Sequence, residues 1–223
     1  MNNKNGLVSS IYLTKTYHGL KIYEQVIARW VSHVVSPHIM AILFTVYMTM
    51  AYSPTPWQAL WWLILTVPFI TVPPTGYVLW LVHTGHLEDF YMPQRAQRLR
   101  PLIVMMVWFV ICLKLLQYWQ APAIVGAIVS IGTVLVGILS IVTLFWKVSF
   151  HGATISAVVM TLILVVGLAA WPTLFLIPLV GWSRIRLKRH TPYQVVIGCF
   201  LGAFIALVLV KYGTLSEVLQ GKD

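Results

Sequence analysis

The chain has 223 residues, of which 59% are hydrophobic and only 9% charged. A soluble domain carries about a quarter charged residues, so this composition excludes the soluble classes and points to an integral membrane protein. Fifteen Lys and Arg against five acids give a formal net charge of +10. In so apolar a chain that excess marks cytoplasmic loops or anionic headgroups. Nucleic acid is not expected as a partner, because the basic residues punctuate apolar spans instead of covering a soluble face.

Residues 1–34 form an N-terminal segment without the charged-then-apolar pattern of a cleavable signal peptide. Within it, Ile22, Tyr23, Val26, Ile27, Trp30, Val31 and Val34 share one stripe at helical spacing, with polar residues elsewhere around the turn. That pattern predicts an amphipathic helix lying in the interface until Ser36-Pro37 breaks it. Residues 35–212 then read as an all-α polytopic transmembrane helical bundle of about six to seven spans, placed at 35–52, 57–84, 101–119, 121–146, 152–170, 172–184 and 191–212. The second carries Pro68, Pro73, Pro74 and Gly76 and is expected to kink or break. The sixth is short, so tilted or ending inside the bilayer at a polar site. Residues 213–223 make a short polar tail. Gly198 and Gly202 form a GxxxG that suits close helix packing, and Gly126 with Ser130 reads likewise. The tryptophans at 57, 61, 62, 80, 108, 146, 171 and 182 read mostly as interfacial anchors. Cys112 and Cys199 sit in apolar runs as small buried hydrophobes.

The connections alternate between short uncharged turns and three basic segments, 86–101, 146–151 and 183–190. Seven spans bring those three to one face with the N-terminus, and the positive-inside rule makes that face cytoplasmic. Imidazole and guanidinium groups beside hydrocarbon are costly unless partnered, and an anion, read here as a phosphate, gives a reason to gather them.

In the third segment, Arg184 offers a planar fork for two phosphoryl oxygens. His190 stands one turn before Gln194 if the last helix begins near Thr191-Pro192. The Gln194 carbonyl can then take a hydrogen bond from one ring nitrogen, fixing the tautomer and leaving the other free to attack phosphorus. Arg186, Lys188 and Arg189 read as snorkelling caps. In the second, Ser149 can donate a hydroxyl to a phosphate oxygen, and His151, at a helix start that favours negative charge, can protonate the leaving alkoxide. Lys147 reads equally as a phosphate contact or a membrane-edge anchor. The first supplies Arg95, Arg98 and Arg100 as further phosphate-binding groups, with Asp89 orienting them through ion pairing. The remaining histidines show no metal-ligand spacing.

The stretch Ser183-Arg184, five residues, His190 resembles the third signature of the type 2 phosphatidic acid phosphatase superfamily, with Gln194 where that signature ends in Asp. Val148-Ser149-Phe150-His151 is similar to its second signature, PSGH, without the Pro and Gly. Arg100-Pro101 matches the end of the first, with Pro93 at the expected lysine. The resemblance covers roughly residues 85–212. It implies a helical membrane core in which His190 forms a phosphohistidine that water hydrolyses. His151 would protonate the leaving group, Arg184, Ser149 and the first-segment arginines would hold the phosphate, and no metal or other cofactor would take part.

The function so implied is a lipid-phosphate or isoprenyl-diphosphate phosphatase, probing its membrane lipid substrate from the cytoplasmic face of a plasma (inner) membrane. Two rivals stand beside it. The degenerate signatures and Gln194 fit a catalytically inactive relative that binds anionic lipid or serves in a complex. A transporter of an anionic solute lacks support from internal repeats or paired broken helices.

Overall fold

The computed structural model describes residues 22–87, 92, 94, 96–213 and 215. Among these residues the chain is all helix. Helix α1 spans Ile22–Val34, bent by 42° from α2, Pro37–Tyr52. There follow α3 (Pro56–His83), a 3-10 turn (Ala96–Arg98), α4 (Leu99–Tyr118) and α5 (Ala123–Phe145). Next come α6 (Phe150–Val166), a 3-10 stretch (Gly167–Phe175), α7 (Leu176–Arg186) and α8 (Pro192–Tyr212). Three starts use one local device. Ser36, Thr55 and Thr191 accept a backbone N–H three residues on, and a proline occupies the first turn, where its missing donor costs nothing.

Five helical stretches are long and apolar enough to cross a membrane, or six if the bent α1–α2 pair makes one span. One of the five is the unbroken helical run Phe150–Arg186. It is no single rod, since Gly167 takes φ +79° and α7 packs back along α6. The expected sixth span at 172–184 is therefore part of a returning limb, 3-10 up to Phe175 and α-helix from Leu176. The expected break in the second span does not occur: α3 runs through Pro68, Pro73 and Pro74 without interruption. Membrane helices tolerate such lost donors where neighbouring groups re-satisfy the backbone.

The outer surface is apolar. Trp57, Trp61, Trp171, Phe175 and Phe200 are exposed, while small and aliphatic residues of α5, α6 and α8 fill the core. Trp62 and Trp108 depart from the anchoring role: the first packs on the core, and the second lies edge-on to Phe69 at 5.1 Å. The α1 stripe likewise points outward, with Ile22, Tyr23, Val26, Ile27, Trp30 and Val34 exposed and Ala28 and Ser32 turned inward.

The tightest helix pair is α6 with α8. A Cβ at Gly198 would come 2.6 Å from the Ser149 carbonyl oxygen, and one at Gly202 would land on that of Ala153. Gly126 has nothing within 4 Å of a Cβ, and the Ser130 hydroxyl bonds back to its carbonyl at 2.8 Å, so this pair makes no close helix approach. The same end of the bundle gathers the ends of α1, α3, α5 and α7 and the starts of α2, α4, α6 and α8.

Candidate active site

At the end of α7 the chain reverses by a left-handed cap. Lys188 takes φ 54° and donates its N–H to Ile185, while the N–H groups of Arg189 and His190 reach the Arg184 carbonyl at 3.1 and 3.4 Å. The reversal lays His190 against the base of Arg184. Both are nearly buried, at 8% and 5% exposure.

Thr191 then starts α8 with a reciprocal cap: its hydroxyl receives the Gln194 N–H at 3.3 Å, and Gln194 Oε1 receives the Thr191 N–H at 3.2 Å. Oε1 also lies 3.2 Å from His190 Nδ1. A backbone N–H can only donate, so the atom facing Thr191 must be the amide oxygen. The hydrogen on His190 therefore sits on Nδ1, and Nε2 keeps its lone pair.

His151 is held in the same sense by a different partner. Its ring donates to the Ser32 carbonyl, and its buried Nε2 has no hydrogen-bond partner. The donor is then Nδ1, and Nε2 is again the open nitrogen. Ser32 also receives the Arg184 Nη1 at 2.6 Å. The sequence offered no signal for Ser32, which stands 152 residues from Arg184.

Ser149 is fully buried and caps α6, its hydroxyl accepting the Gly152 N–H at 3.3 Å. Its backbone N–H reaches the Gln194 carbonyl at 3.1 Å, tying the second segment to the third. The serine proton remains available for donation, though the side chain has no exposed surface. Arg98 is half-buried with Nε donating to the Met92 carbonyl at 2.9 Å, and lines the same cavity as both histidines. Arg100 is exposed and does not line that cavity. Asp89 and Arg95 lie outside the described residues.

The groups of the cluster act on one another's charge. Burial first, then the charges of Arg98, Arg184 and Lys147, push His190 down to about 3, with its Gln194 bond opposing. The ring is neutral at pH 7. Lys147 is lowered by burial and by Arg98, Arg184 and Arg189. Arg189 thus belongs with the cluster, while Arg186 ion-pairs with Glu24 of α1. Four cations that repel one another beside two imidazoles make a positive potential that an anion would offset.

Of these groups Arg98, His151, Arg184 and His190 line a cavity of about 930 Å³, whereas Lys147, Ser149 and Arg189 do not. His33, His38, Arg98, His151, Arg184 and His190 lie at its polar end. Beyond them the walls are apolar and reach Ile70 on α3, Phe109 on α4, Ile128 on α5 and Val158 on α6. Phe109 is eleven residues beyond Arg98, so the shaft runs roughly 16 Å from the cations at 1.5 Å per residue. A second cavity, of about 550 Å³, lies at the opposite end among Tyr52, Gln58, Trp62 and Gln120, without a cation in its lining.

Residues 140–216 match the family model of the PAP2 superfamily. Over that stretch the chain resembles PAP2-superfamily proteins. The match takes in Ser149, His151, Arg184, His190 and Gln194 and leaves the 86–101 segment outside. No curated protein and no solved structure matches the chain significantly.

Proposed function

We propose that this membrane protein belongs to the PAP2 superfamily and is a phosphatase of lipid phosphates or isoprenyl diphosphates, acting through a phosphohistidine. The observation that carries the reading is the joining of two kinds of surface in one cavity. Two imidazoles and two guanidinium groups, those of His151, His190, Arg98 and Arg184, line the same cavity as an apolar shaft. A free phosphate needs only the first, whereas a lipid phosphate fills both.

In this reading the neutral Nε2 of His190 attacks phosphorus. The bond from phosphorus to the lipid oxygen breaks, and a proton on His151 Nε2 goes to that oxygen. The phosphate's own negative charge lets His151 carry that proton beside Arg184. Water then attacks the phosphohistidine, His151 takes a proton back, and inorganic phosphate leaves. Arg184, Arg98 and Lys147 hold the non-bridging oxygens, and Ser149 supplies a hydroxyl or, through the cap, the start of α6. Arg95 and Arg100 stay within the proposal as phosphate-binding groups, with Asp89 as the carboxylate that orients them. The concentration of cations at the site end, against Lys114 and Lys211 at the other, supports a cytoplasmic site.

A second reading is favoured by Gln194. The superfamily signature ends in a carboxylate there, and an amide gives an imidazolium no counter-charge. A carboxylate-to-amide change beside a catalytic histidine costs about ten-thousandfold in a serine protease. A protein that binds the phosphate head without turnover fits that loss. The deciding experiment is release of inorganic phosphate from a panel of prenyl and glycerolipid phosphates by the purified protein. We expect release by the native chain and a loss of at least about a thousandfold in His190→Ala, with an unchanged monodisperse profile. Vanadate binding without any release selects the second reading.

A further inference from the structure

Helix α1 looks like a membrane-surface anchor, yet its inward face ends at the chemistry. Ser32 is 5% exposed and meets two groups of the site at once. Its hydroxyl receives the Arg184 Nη1 at 2.6 Å, and its backbone carbonyl receives the His151 ring. A second polar link, Glu24 to Arg186, ties the other end of α1 to the last turn of α7. The apolar stripe on the far side of the helix is exposed, so α1 is seated by its environment on one face and by the site on the other.

An arginine side chain has four rotatable bonds beyond its backbone and a buried guanidinium is held only by what it touches. The Ser32 bond fixes one nitrogen of the Arg184 fork and so sets the plane in which the remaining donors lie. The carbonyl bond fixes the His151 ring and its tautomer, which is what directs Nε2. One residue thus sets the relative aim of a phosphate ligand and a proton donor that are 33 positions apart in the chain.

We infer that Ser32 is a positioning residue for the phosphate site, its hydroxyl aiming Arg184 and its carbonyl aiming His151, so that α1 is a working part of the site. The inference rests on the phosphate-binding half of the reading above and not on turnover.

The test uses the full chain in detergent with two readouts, orthovanadate affinity and the kinetics of phosphate release from one lipid phosphate. Ser32→Ala should weaken vanadate at least about tenfold, the scale of one lost charge-assisted hydrogen bond. It should raise KM by a similar factor with a smaller change in kcat, because the His151 contact is through the backbone and survives. Ser32→Thr keeps the hydroxyl and should recover most of the affinity. Ser32→Cys preserves the shape with a weak acceptor and should resemble Ser32→Ala, which covers the case of an alanine variant that does not fold. Vanadate affinity unchanged in the alanine and cysteine variants overturns the inference, as does a native chain that binds no vanadate. A native chain that binds vanadate but releases no phosphate sinks the phosphatase reading alone, and the binding series still decides the role of Ser32.

Discussion

Gln194 does two jobs with one oxygen, accepting the Thr191 N–H to start α8 and lying against Nδ1 of His190. Asp at 194 would be one methylene shorter and would reach one partner at the expense of the other. Glu keeps the reach and adds a charge that stabilises imidazolium. We expect Gln194→Glu to raise His190 from about 3 and to increase phosphate release, read by imidazole proton titration beside kcat; a fall in both would refute the assignment. Gln194→Leu should lower stability by about 1 kcal/mol through the cap and the rate at least tenfold. The His190 shift also sets a pH dependence. Its folded value lies below the ordinary 6.5, so between 6.5 and about 3 the unfolded chain binds more protons. Stability should therefore fall as pH drops through that window, and His190→Gln should flatten the slope of apparent Tm against pH. The pairing of 190 with 194 was legible in the sequence, because residues four apart at a helix start share a side. Ser32 was not: a lone serine in an amphipathic stretch carries no mark of a partner 152 residues away.

At the scale of elements, the same glycine spacing meant two things. Gly198 and Gly202 lie where the α8 backbone rides on α6, whereas Gly126 faces open space. Spacing alone could not separate them, since the difference lies in which neighbour the fold puts alongside. Gly202→Val should cost about 1–3 kcal/mol by overpacking, seen as a lower apparent Tm. It should also abolish phosphate release, because α6 carries His151 and α8 starts two residues after His190; full activity would mean the two helices are not held in register by this contact. The α7 cap gives the opposite case. Lys188 occupies a left-handed position usually taken by glycine, so Lys188→Gly should stabilise by about 1 kcal/mol, with a rise in apparent Tm as the measure. The prolines of α3 do not break the helix. Proline weakens a helix through local donors, but continuity was decided by surroundings that a local reading does not include.

For the whole molecule, apolar periodicity gave the helices and their order, and alternating basic loops gave the face that bears the site. The returning limb formed by α7 was only half legible, since a 3-10 stretch with Pro172 has no hydrophobic period of its own. Sidedness can be measured directly. A membrane-impermeant thiol reagent should label Lys188→Cys only from the cytoplasm and Lys211→Cys only from outside, and the reverse pattern would invert the topology. The two-character cavity carries one more consequence. Under the proposed reaction the fragments would have opposite solvents: the ionic product would partition to water, while the dephosphorylated alcohol, without its tether to the cations, would return to the leaflet. On that reading the soluble fragment should be the competitive product inhibitor and the greasy one a weak inhibitor at most, which product-inhibition kinetics would check.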